Sequence, residues 1–430
     1  MRDKQKSNNH PKWTYSTNIY EVNLRQYSNE GTFEAFSKSL PRLKDMGVKV
    51  LWFMPITPIS TKDRLGELGS YYSVQNYKET NPEFGTITDF KKLVKEAHET
   101  GFKVILDFVA DHTGNDHPWT TEHPDFYYYE DNRELHHPHG WSDVAKLNFD
   151  VPELWDHMVD AMKFWIKECD IDGYRCDMAH LVPLGFWVHA KKKLSKYKDL
   201  FWLGECEEPE YHQVFDATYT WKWMHASQEF YEHKMSLQSL LTVLYKSAVE
   251  FPCHAFRVYF TSNHDENSWN GTEYEKYGDA ALLFAVFSCT WSGIPMIYSG
   301  QELPNKKRLK FFEKDVIEWT GRFELHDLYK TLLTLHSTNR ALRAGDSNVL
   351  TRIVSHPDDQ EVFSYLRKHE KDEVLVVLNC CPHGVDYEIK DIRGTFRNVF
   401  GGDDINFDIN RNVYLHAWGY LVFEKVPMLS

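Results

Sequence analysis

The chain has no run approaching the roughly 18 to 20 uninterrupted apolar residues of a membrane helix, which argues against a helical membrane protein, and no membrane partner is expected. Basic charge is also scarce. Lys and Arg number 49 against 63 Asp and Glu, a formal net charge of -14, and no basic cluster is long enough to follow a phosphate backbone. Nucleic acid is therefore not an expected partner. The opening stretch "MRDKQKSNNHPKW" has no apolar core of the kind a secretory leader needs, which gives a cytoplasmic expectation, or a periplasmic or secreted one if a leader has been removed. The seven cysteines (169, 176, 206, 253, 289, 380 and 381) are odd in number and lack metal-ligand spacing, so they read as small buried hydrophobes in a reducing compartment.

What is present suits a large folded body. With 430 residues and 42% hydrophobic content, the chain can bury one large core and a smaller one. Aromatic content reaches 15%, with 14 Trp and 24 Tyr, and rings of this kind pack well against the apolar face of a pyranose as well as in cores.

Short apolar runs alternate with amphipathic helical stretches, the pattern of βα units in a parallel sheet. Eight runs can be counted: "NIYEVN" (18–23), "KVLWFMP" (49–55), "KVILDFV" (103–109), "DGYRCD" (172–177), "LFWLGE" (200–205), "VFDATY" (214–219), "RVYFTSNHD" (257–265) and "PMIYSGQE" (295–302). Eight is the number that closes a (β/α)8 TIM barrel. Between them, "TFEAFSKSLPRLKDMG" predicts a helix capped by Thr32 and stopped by Gly47. A second helix is predicted over 88–101, and a third opens at Pro152.

One connection differs. Residues 113–151 are rich in His, Tyr, Pro and charge and show no helical period, and loops this long usually carry function. Beyond a final helix predicted to end at Gly345, the pattern changes to alternating strands with turn signals. The expected organisation is an α/β barrel from 1–112 and 152–345, an inserted lobe at 113–151 after strand three, and a C-terminal antiparallel β-sandwich at 346–430.

In such a barrel the carboxyl ends of the strands form the active-site floor. Asp107 lies in the third run, Arg175 and Asp177 in the fourth, Glu205 in the fifth, and His264 and Asp265 in the seventh, so charge from four strands converges on one mouth. Two carboxylates on one face are the chemistry of glycosidic cleavage, one as nucleophile and one as proton donor about 5 Å away in the retaining mode. Arg175 and Asp177 stand at i and i+2 of one strand and face the same way, so the guanidinium can hold the aspartate ionised.

These stretches resemble the signatures of the α-amylase superfamily, glycoside hydrolase family 13. "DFVADH" (107–112), "GYRCD" (173–177), the glutamate of "WLGE" and "SNHDE" stand in its order, with "MPITP", "SYYSVQNY", "LNFDVPE" and "GIPMIYSGQE" as further matches. The resemblance implies that Asp177 is the nucleophile, Glu205 the general acid/base and Asp265 the transition-state stabiliser. Arg175, His112 and His264 become positioning groups, Asp107 the support of Arg175, and Tyr72 the ring that stacks beneath the cleaved sugar.

The implied activity is retaining hydrolysis of α-1,4-glucosidic bonds in starch, glycogen or malto-oligosaccharides, by a monomer. The α-glucosidases, cyclomaltodextrinases and transglycosylases share the same core residues; a barrel that only binds glucan or a protein partner is the alternative of another class. No cofactor is needed for the chemistry. A structural Ca2+ is the one metal the resemblance raises, with Asp111, Asp143 and Asp150 as candidate ligands, although Asp111 stands where the family usually has asparagine. "HHPH" (136–139) is expected to be a solvated loop, and the basic run "NKKRLKFF" either a solvated loop or an edge of the substrate cleft.

Overall fold

The structure, a computed structural model, describes residues 10–427; the first nine residues of the opening stretch lie outside them. Eight parallel strands close into a barrel: Ile19–Val22, Val50–Phe53, Lys103–Val109, Gly173–Asp177, Phe201–Gly204, Ala217–Tyr219, Phe256–Tyr259 and Ile294–Tyr298, the last pairing back to the first. Each overlaps one of the eight runs. Almost every strand residue is buried, as expected when helices cover the outside of a parallel sheet.

Local signals explain most helix ends. Thr86 and Asp89 make a reciprocal capping box at the start of the helix Ile87–Thr100, and Gly101, at φ 97°, ends it in the left-handed region. Pro152 opens the helix Pro152–Cys169. Two helix predictions need correction. The stretch after Thr32 forms two short helices, Phe33–Ser37 and Leu40–Asp45, because Pro41 has no N–H to continue the ladder. The final helix ends at Thr338 rather than Gly345, and a single 3-10 turn, Arg340–Leu342, follows it.

The seventh strand is also shorter than its run. Its ladder to the eighth stops at the pair Pro295 and Tyr259, where proline has no N–H to donate, so His264 and Asp265 stand beyond the strand, at the start of the helical turn that continues through Glu266–Asn270.

Within 113–151 the backbone forms a ribbon, His112–Gly114 paired antiparallel with Val144–Lys146. From Leu350 onward the strands are antiparallel, in a six-stranded sheet and a two-stranded one. This C-terminal body is bound to the barrel through Phe363 and Tyr365, which pack on Trp291 and Phe287, while the Tyr365 hydroxyl lies 2.7 Å from Thr290 Oγ1. Among the described residues no helix is long and apolar enough to cross a membrane, and all seven cysteines are free thiols, six of them buried.

Candidate active site

Register sets the floor of the site. The third and fourth strands place Asp107 directly beside Arg175. Arg175 is fully buried, and its Nη1 donates to both oxygens of Asp107 (3.0 and 3.1 Å) and to Asp177 Oδ1 at 2.7 Å. Its Nη2 lies 2.7 Å from Glu205 Oε2, an ion contact that is not aligned as a hydrogen bond. The guanidinium rests among Trp52, Tyr72 and Tyr219, at 5.1 to 5.9 Å from their ring centres. One cation thus serves three carboxylates from three elements.

Glu205 follows the last residue of the fifth strand, and its Oε2 accepts the backbone N–H of Met178 at 2.9 Å. Met178 takes a left-handed conformation (φ 41°), turning the chain just after Asp177. Across the mouth, the His264 imidazole stands 2.5 Å from Glu21 Oε1, 2.7 Å from the Tyr72 hydroxyl and 3.3 Å from Asp265 Oδ2. The Tyr72 hydroxyl also donates to Asp107 at 3.2 Å, which joins the two halves of the site.

The charges do not balance locally. Burial pushes Asp177 well above the usual carboxylate range; Arg175 opposes the shift, while Glu205 and Asp107 add to it. Asp107 is pushed up to about 6 by the same burial, against the pull of Arg175 and His264. Burial would also raise Asp265, but His264 and Arg175 outweigh it and hold this carboxyl below its ordinary value. Burial would discharge His264, yet Asp265 and Glu21 keep it cationic. Around Arg175 the carboxyls of Asp177 and Asp107 are thus raised, whereas beside His264, which keeps its proton, Asp265 is lowered.

A cavity of about 250 Å³ opens on these groups, lined by Tyr72, His112, Asp177, Glu205 and Asp265, with Trp141 and Asp143 from the inserted segment. Phe311, Phe312 and Trp269 form its aromatic wall, so the basic run after Glu302 does edge the cleft. His112 is buried, with its ring edge-on to Trp141. Of the other aromatics in the insertion, Tyr127 is buried and bonded to Thr113, and Trp119 packs on Phe126.

Glu21 escaped the sequence reading although it is fully buried and holds His264 from the first strand. The signal was available: "NIYEVN" carries an acid inside an apolar strand run, as the third and fifth runs do.

The candidate calcium ligands do not come together. Lys146, from the ribbon, places its ammonium on Asp111 Oδ1, and Asp111 Oδ2 lies 3.3 Å from His112 Nδ1. Burial would raise Asp111, but His112 and Lys146 hold it below its usual value. Asp143 lines the cavity, and Asp150 is exposed, accepting from the Tyr128 hydroxyl at 3.2 Å. A cation requiring six to eight oxygens does not fit around a carboxylate already neutralised by lysine. "HHPH" behaves as expected of a loop, with His136 paired to exposed Glu130 and His137 bonded to the Val144 carbonyl.

The alpha-amylase catalytic-domain family model matches residues 7–143 and 126–320. The chain belongs to this family. Among curated relatives, Alpha-amylase MalA of Haloarcula japonica is 27% identical over 392 residues, 86% of this chain and 56% of that protein. This chain thus spans little more than half of that relative's length. Among solved structures, an alpha-amylase from Lactobacillus plantarum is 28% identical with a TM-score of 0.86, covering 96% of this chain and 100% of that one. A noncanonic maltogenic alpha-amylase from Thermotoga neapolitana is 29% identical with a TM-score of 0.87, covering 96% and 99%. The barrel and C-terminal sheets of this chain are those of the alpha-amylase family.

Proposed function

We propose that the protein is a retaining α-glucan hydrolase that cleaves α-1,4-glucosidic bonds by double displacement. One observation carries the mechanism: Asp177 and Glu205 are gripped by the same guanidinium, each at 2.7 Å. That favours the short carboxylate separation of a retaining site, about 5 Å, over the wider gap that an inverting site needs for water.

Asp177 attacks the anomeric carbon while Glu205 donates its proton to the departing glycosidic oxygen. The glycosyl–aspartate ester is then hydrolysed by a water that gives its proton to Glu205, restoring both groups. Asp265, held ionised by His264, faces the developing positive charge of the sugar.

A second reading, action on short or cyclic oligosaccharides, is favoured by the cavity itself. Phe311 lies nearly parallel to Tyr72, with ring centroids 6.3 Å apart and planes within 17°, and both line the cavity of about 250 Å³ together with Phe312 and Trp269. Digestion of amylose, pullulan and maltotriose, with Asp177→Asn as the blank, tests both readings. Reducing-sugar release with α-anomeric products is expected. A folded protein releasing no sugar from any of the three would sink the hydrolase; rapid loss of amylose chain length would sink the short-substrate reading.

A further inference from the structure

We propose that His123, Glu153 and His157 form a binding site for a first-row divalent cation such as zinc, joining the inserted segment to the helix that follows it. One ligand atom from each of the three lies within 4.8 Å of the other two. Glu153 and His157 stand one turn apart on the helix Pro152–Cys169, and His123 comes from the other side, just after the short helix Trp119–Glu122.

The imidazoles are held by an aromatic bed. His123 lies flat on Phe126, with centroids 4.5 Å apart and planes within 8°. His157 meets Phe126 and Trp119 edge-on at 5.1 and 5.6 Å, and the two imidazoles are 4.7 Å apart at 66°. The existing ionic contact is weak: His157 Nε2 stands 3.7 Å from Glu153 Oε1, beyond hydrogen-bond reach.

Two imidazoles and a carboxylate suit zinc and its neighbours, and are too few and too nitrogen-rich for calcium. Bonds of about 2.1 Å would draw the donors to roughly 3.4 Å from one another, and water would complete the shell. A contraction of that size is within reach of half-exposed side chains on an aromatic surface. The inserted segment also supplies Trp141 and Asp143 to the active-site cavity, so a cation here would fasten that wall to the barrel.

A second trio, Glu361, Cys381 and His383, lies in the C-terminal sheets. There His383 already pairs with Glu361 at 3.1 Å, and the thiol is bonded to Asn379 Oδ1. It serves as the control.

The test is calorimetric titration of the chelator-treated full chain with zinc chloride, with cobalt(II) absorption as a second readout of ligand type. One saturable site is expected, weakened about tenfold or more by His123→Gln and by His157→Gln, and unchanged by His383→Gln. The two histidines lie on different segments, so if one variant fails to fold by circular dichroism the other decides. No saturable binding by the wild type, full binding by the folded histidine variants, or loss confined to His383→Gln would overturn the proposal.

Discussion

Two buried aspartates five residues apart bracket the fourth barrel strand, and they live in opposite electrostatic worlds. Asp172, just before the strand, accepts from His98 at 2.6 Å, Lys103 at 2.9 Å and the Val104 N–H at 2.9 Å, with Lys198 at 3.1 Å. Burial would raise its carboxyl, but this excess of donors holds it far below the ordinary value. Asp177, at the strand's other end, shares a single guanidinium with two other carboxylates and is pushed up. Cation excess at one end of the barrel stabilises the fold. At the other end burial, with two neighbouring carboxylates, raises the carboxyl of a residue in the mouth of the site.

The largest effect that sharpens this contrast is on turnover. Asp177→Asn is expected to fold normally, with a melting temperature equal to or above the wild type, while reducing-sugar release falls about 10⁴-fold or more. Near-normal rates from this variant would erase the distinction between the two ends. Asp111 belongs with the stabilising kind, although it sits beside the active mouth. Lys146→Met leaves its fully buried carboxylate without the ammonium, and urea unfolding is expected to show a loss of about 3 kcal/mol. Added Ca2+ should leave the wild-type melting temperature unchanged, and a clear rise would show that oxygen ligands gather there after all.

Asp172→Asn should cost about 2 kcal/mol, less because its lysines and histidine are partly exposed, with turnover per folded molecule unaltered. The smallest effect is on pH dependence. Asp172 has a depressed folded value, so its stabilisation is present above the ordinary Asp value of about 3.9 and lost as pH falls below it. Asp107, raised to about 6 by burial, acts in the other sense: its contribution is complete below about 3.9 and lost as pH rises through about 6. Thermal melts across pH should therefore lose their acid limb in Asp172→Asn, and flatten between about 4 and 6 in Asp107→Asn. The same slope in both variants would contradict the opposed environments.

Much of this was legible in the chain. The eight strands could be counted because each is a short buried run between turn signals, and the acids could be placed because charge inside such a run is unusual. Helix ends were less secure where one residue decided them: Pro41 split a predicted helix, and the final helix stopped seven residues before its glycine. Glu21 was passed over because its partner His264 is 243 positions away, and only the closing of the first strand on the eighth brings that side of the barrel round. Lys146 was invisible for a similar reason, since it reaches Asp111 only when the inserted segment folds back as a ribbon.

By itself the sequence determined the barrel, the family and which acids face the mouth, because strand period and position along a strand fix where a side chain points. Tertiary structure alone decided which charges neutralise which. It set three carboxylates on one guanidinium and a lysine where a metal was expected, since ion pairing depends on ångström-scale distances between residues far apart in the chain.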